Sequence, residues 1–125
     1  MTTTLEKALI AFNILNKLGD IRMKSTATSR KLFSLKILVK PASEFYMEEE
    51  KKIIEDLNGK VMEDNTIVFS DQKEGMKKLT EGREELLKSE WEIAIDKPVI
   101  FRDAEGIQIS GNEIEALQGL ADFIE

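Results

Sequence analysis

The 125-residue chain has no cysteine and no histidine. Without cysteine there is no disulfide, no thiol nucleophile, no iron–sulfur cluster and no cysteine-containing zinc site. Without histidine the chain lacks the usual general base near neutral pH, the Ser-His and Cys-His nucleophile pairs and the commonest transition-metal ligand. Any chemistry would fall to carboxylate, lysine, tyrosine, arginine or serine. Proline occurs only twice, no repeat or low-complexity stretch is present, and no segment reads as a linker. One compact domain over residues 1–125 is expected, burying about two thirds of the surface of the unfolded chain. No unbroken apolar run approaches the roughly 20 residues of a membrane helix, and the amino-terminal residues lack the layout of a signal peptide. A soluble protein with no membrane partner is the expectation.

What is abundant is charge, and it is unevenly placed. Residues 1–43 carry eight basic and two acidic side chains, whereas residues 44–125 carry ten basic and 22 acidic ones, so +6 and −12 sum to the net −6. The pI near 4.9 argues against a general nucleic-acid binder, whose domain pI usually exceeds about 9.

The pattern of apolar residues predicts an α+β fold with an N-terminal helical hairpin, small antiparallel hairpins and further helices, one of them C-terminal. The first helix opens with Thr3 and Glu6 at capping-box spacing, buries a stripe through Leu5, Ala8, Leu9, Phe12, Leu15 and Leu18, and stops at Gly19. A second begins at Ser25 or Thr26. Residues 32–40 fit either a helix or a strand, and the expectation is a helix that kinks or restarts at Pro41 and ends at Gly59. A hairpin spans Val61 to Phe69, turning at Glu63-Asp64-Asn65. Asp71 and Glu74 cap a third helix, in which Gly75 and Gly82 suggest close approach of another backbone. Trp91, Ile93 and Ile95 alternate as a strand with Val99 to Phe101 as its returning partner, and Gly106 to Ile109 is a further extended piece. Ser110 with Glu113 opens the last helix, whose stripe is Ile114, Leu117, Leu120, Phe123 and Ile124.

None of the constellations that usually carry chemistry is complete. Glu44 and the run Glu48, Glu49, Glu50 hold enough oxygen for a divalent cation, but neighbours on a helix diverge, and a solvated face is expected. Asp64 and Asn65 lack the order of a calcium loop, and Gly106 and Gly111 lack the lysine of a phosphate-binding loop. Asp96, Asp103 and Glu105 near Arg102 read as loop charges. No catalytic residue, metal site or cofactor is therefore expected. The basic end is the one partner-binding candidate: Lys17, Arg22, Lys24, Arg30 and Lys31, with Lys36 and Lys40 beyond them. Internal neutralisation by the acidic half is favoured, and the test is whether the five lie together and unpaired. Phe33 and Phe45 read as core residues and are too few to stack single-stranded bases. Trp91 reads as a core anchor.

Three stretches, Leu5 to Leu18, Tyr46 to Gly59 and Ile109 to Glu125, resemble a family of small uncharacterised proteins of tailed phages and prophages. Pro41 and Ile37 to Val39 depart from the smoother second helix of that pattern. The family has no defined catalytic residues, so the resemblance implies a phage origin and no chemistry. Taken with the composition, it makes the expected function that of a non-enzymatic accessory protein, an inhibitor binding a host factor or an antiphage defence component in the host cytoplasm. The alternatives are a virion or tail-assembly protein that oligomerises, and a small nucleic-acid-binding or metal-dependent protein.

Overall fold

The computed structural model describes residues 1–125, and its architecture is mixed α+β. Helix α1 (Leu5–Gly19) buries Leu5, Ala8, Ala11, Leu15 and Leu18 along one face. Its cap is Thr4, one residue later than the expected Thr3: the Thr4 hydroxyl accepts the Lys7 N–H at 3.3 Å. Helix α2 (Thr26–Asp56) is capped by Ser25, whose hydroxyl accepts the Thr28 N–H at 3.4 Å. Residues 32–40 are helical, and α2 runs unbroken through Pro41 where a kink or restart was expected. Proline forfeits one backbone bond, but Leu35, Val39 and Ala42 are wholly buried on either side of it. Burial worth about 25 cal/mol per Å² of apolar surface holds both halves of α2 on the same core. The left-handed residue that stops α2 is Asn58, with φ 59°.

Strands β2 (Lys60–Val61) and β3 (Ile67–Val68) form the expected antiparallel hairpin. Asn65 supplies the positive φ in its turn, and the Asp64 carboxylate accepts the Thr66 N–H at 3.0 Å. Helix α3 (Gln72–Lys88) starts at Asp71, which accepts the Glu74 N–H at 3.1 Å. Its glycines face side chains and not a second backbone: the Phe69 ring lies on Gly75, and Ile53 Cγ2 is 3.2 Å from where a Gly82 Cβ would stand.

The remaining strands pair differently from the sequence expectation. β4 (Glu90–Glu92) does not turn back onto Val99–Phe101; it runs antiparallel to β1 (Thr2–Thr4), with Thr3 opposite Trp91. β5 (Val99–Arg102) instead runs parallel to β6 (Ala121–Ile124), with Phe101 opposite Phe123 and their rings stacked 5.3 Å apart. A parallel pair needs a crossover. Here it is a 3₁₀ turn, Asp103–Glu105, followed by helix α4 (Gly111–Ala116). The C-terminal helix is thus present with its Ser110–Glu113 capping box, but it stops early. Gly119 takes φ 84°, and the tail leaves as β6 while Leu117 and Leu120 stay buried.

The main core lies between α1 and α2 and is closed by Ile93, Phe101, Leu117, Leu120 and Ala121. A satellite core of Ile54, Phe69 and Leu79 joins the end of α2 to the hairpin and α3. Trp91 is half-buried against Phe45, ring centroids 5.1 Å apart.

Candidate protein-docking groove

After Gly19 the chain crosses to α2 through residues 20–25. The Ile21 N–H still bonds to the Leu18 carbonyl at 3.2 Å, which folds the turn back over the end of α1. Between this turn and the first turns of α2 lies a groove of about 100 Å³, lined by Leu18, Ile21, Met23, Leu32, Phe33 and Lys36. Leu18 and Leu32 belong to the core, whereas Ile21 is 47% and Phe33 63% exposed. Phe33, read from the sequence as a core residue, is therefore among the most exposed apolar side chains. The cause is helical phase: Leu32 and Leu35 take the core direction, and Phe33 points about 100° away from Leu32.

The structure divides the five basic candidates. Lys17 pairs with Glu113 at 3.5 Å. The Glu113 carboxylate also accepts the Ser110 N–H at 3.0 Å, so this lysine rests on the cap of α4. Bonds from Ser110 and the nearby Lys17 ammonium hold the Glu113 carboxyl below its ordinary range. Lys31 is engaged more closely. Its ammonium donates to Glu105 at 2.9 Å and to the Ile100 carbonyl at 3.0 Å, and sits 5.5 Å from the centre of the Phe101 ring. The same Glu105 accepts the hydroxyl proton of fully buried Thr28 at 2.9 Å and the Arg102 N–H at 2.7 Å. Burial works against the charged form of Glu105, but these three donors outweigh it and its carboxyl lies below the ordinary range. Lys31 therefore ties α2 to β5, and two residues apart on a helix it points about 160° from Phe33.

Arg22, Lys24 and Arg30 remain. They are exposed, and none takes part in the six ion pairs of the chain. Arg22 and Lys24 alternate with the groove residues Ile21 and Met23, Arg30 follows the groove residue Ser29, and half-buried Lys36 lines the groove itself. Lys36 also lacks an ion pair, which makes it the fourth cation of this region. The apolar component, Ile21, Met23 and Phe33, was missed in the sequence. Its one signal was that Phe33 falls off the 32–35–39–42 core spacing.

No family model, curated protein or solved structure matches the chain.

The other places where chemistry could gather are dispersed. Glu44, Glu49 and Glu50 lean toward separate cations: Lys40 at 3.9 Å, Lys52 at 3.1 Å and Arg83 at 2.8 Å. No three acidic side chains converge as a metal site would require. A larger cleft of about 490 Å³ between β1, α1 and α4 is lined by Ala8, Ala11, Ile93, Leu120, Lys7 and Glu115 among others. No buried side-chain polar atom in the chain lacks a partner, so this cleft holds no buried unsatisfied side-chain group.

Proposed function

We propose that this chain is a non-enzymatic protein-binding module whose partner presents an acidic segment with an apolar anchor to the groove at the α1–α2 turn. The observation that carries this reading is the groove itself, with exposed Ile21 and Phe33 and half-buried Lys36 in its lining, flanked in the chain by three exposed cations outside every ion pair, Arg22, Lys24 and Arg30, on a protein of net charge −6. An excess of acidic side chains elsewhere repels acidic partners from other faces and steers them here. Phe33, Met23 and the flanking Arg22 and Arg30 are of the residue types enriched at protein interfaces. With the phage resemblance, the partner would be a host factor or a component of an antiphage defence system, and the chain its inhibitor.

The test compares capture from host lysate by the immobilised wild type and by the triple variant Arg22→Glu, Lys24→Glu, Arg30→Glu, at low and moderate salt. One acidic protein held by the wild type and weakened at least about tenfold by the triple variant is expected. Equal capture by both proteins overturns the reading. So does retention by the wild type of duplex DNA and heparin as readily as of any protein.

A further inference from the structure

The solvent face of α2, opposite the core, carries Phe33, Ile37, Lys40, Glu44, Met47 and Lys51. Their spacings run four, three, four, three and four, the alternation of a heptad seam. Phe33 is 63%, Ile37 46% and Met47 67% exposed, and Lys40, Glu44 and Lys51 are exposed too. The buried residues Leu32, Leu35, Val39 and Ala42 occupy the opposite side. An isolated surface helix with one core stripe has no use for a second regular seam.

We infer that α2 pairs antiparallel with α2 of a second copy of this chain along that seam, making a symmetric dimer. The register follows from the sequence of the seam. In an antiparallel pair centred on residue 42, Ile37 meets Met47 of the other copy, Lys40 meets Glu44, and Phe33 meets Lys51. The pairs are respectively apolar, opposite in charge and cation on aromatic ring, and each occurs twice by symmetry. A parallel pair would set Lys40 on Lys40, Glu44 on Glu44 and Lys51 on Lys51, which like-charge repulsion forbids. Self-complementarity therefore selects both the occupant and its direction. The intramolecular Lys40–Glu44 contact is long, 3.9 Å, with both side chains more than half exposed, and leaves both groups free to bridge across. The seam spans about 27 Å, and with only three apolar residues per copy it fits a reversible dimer and not an obligate one. The inference does not rest on the docking groove, although the two share Phe33: in the dimer Lys51 of the other copy covers its ring, so dimerisation and the acidic partner compete for that side chain. Antiparallel pairing would place the two grooves at opposite ends of the dimer.

The absence of native cysteine makes the test direct. Wild-type protein is expected to sediment as a dimer that dissociates on dilution through the micromolar range. Ile37→Cys and Met47→Cys variants are then oxidised separately and mixed. The mixture is expected to yield the 37–47 cross-link as its main product. Each variant alone should give little, because the two copies of residue 37, like those of residue 47, would stand about 15 Å apart along the pair. In a second arm, Lys40→Glu and Glu44→Lys each weaken self-association at least about tenfold, and mixing the two restores a heterodimer. Both substitutions are at exposed positions and should leave the circular dichroism spectrum unchanged. A wild type that stays monomeric at millimolar concentration overturns the inference. So does a dimer whose single variants cross-link to themselves, or one that neither charge reversal weakens. Capture of the acidic partner in the previous test is read at Arg22, Lys24 and Arg30, so either proposal can fail alone.

Discussion

Replacing Gly75 by alanine should destabilise α3, although alanine is the better helix former. A Cβ on Gly75 would stand 2.5 Å from the Phe69 Cβ and 2.6 Å from its Cδ2, and closer still to Cγ. Carbon atoms pack at about 3.5–4.0 Å, so the ring has to move by about 1 Å. Its retreat is restricted on another side, because the position of a Gly59 Cβ is itself 2.5 Å from Phe69 Cε1. Overpacking of this kind costs about 1–3 kcal/mol, against about 1 kcal/mol gained in helix propensity. Because the clash reaches Phe69 Cβ, which cannot turn aside without its backbone, the upper part of that range applies, and the expected net loss is about 1–2 kcal/mol. Gly82 is the control on the same helix. There the added Cβ would be 3.2 Å from Ile53 Cγ2 and 3.3 Å from Cδ1, terminal methyls of a half-buried side chain that can turn aside, so Gly82→Ala should stabilise by about 0.5 kcal/mol. The two variants would differ by about 2 kcal/mol, roughly a thirtyfold difference in unfolding equilibrium. Urea unfolding followed by circular dichroism at 222 nm, with hydrogen exchange of the α3 amides, measures it. Equal stabilisation by both substitutions would refute the packing of Phe69 between Gly59 and Gly75, because propensity alone would then account for the data.

Glu105→Ala removes the partner of the buried Thr28 hydroxyl and should cost about 1–3 kcal/mol in urea unfolding; a change within error would mean that this hydroxyl finds another acceptor. The pH dependence has a definite sign. The folded-state carboxyl of Glu105 is lowered, so its contribution is fully present above the ordinary carboxylate range and is lost as the pH falls through the lowered value. The advantage of wild type over Glu105→Gln should therefore shrink as the pH drops from 7 to about 3, and a difference independent of pH would contradict the ion-pair account. Pro41→Ala restores a backbone donor in the middle of an unbroken helix and should raise stability by about 1–2 kcal/mol. A loss of stability there would show that α2 depends on the proline for its path.

Elements set by neighbours in sequence were legible in advance. The stripe of α1, the caps at Asp71 and Ser110 and the hairpin at Asp64-Asn65 each depend on residues within a few positions of one another, where side-chain type and backbone preference act directly. Pairings that close long loops were not legible. Thr2–Thr4 read as the approach to a helix cap, and only the arrival of Glu90–Glu92 makes it a strand. The sole local hint was three β-branched threonines in a row. Val99–Arg102 had a nearer candidate partner in Trp91–Ile95, yet it pairs with Ala121–Ile124. There Phe101 gains the Phe123 ring, and the strand has Leu117, Leu120 and Ala121 to pack beside. Gly119 was the overlooked local signal, since its positive φ ends any helical continuation.

The sequence by itself excluded imidazole and thiol chemistry, placed a cationic excess in residues 1–43 and positioned most helices, because these follow from composition and from contacts within one or two turns. Which cations stay free was decided only by tertiary structure. Lys31 and Arg30 are neighbours in the chain, but the crossover between β5 and β6 delivers Glu105 to one and no carboxylate to the other. In the same way α4 brings Glu113 to Lys17 across 96 residues of sequence. An ion pair needs its partners within about 4 Å, and over such separations the chain path, not the order of charges along it, determines which groups meet. The basic end therefore resolves into two structural ties, Lys17 and Lys31, and a smaller exposed set outside every ion pair, Arg22, Lys24 and Arg30.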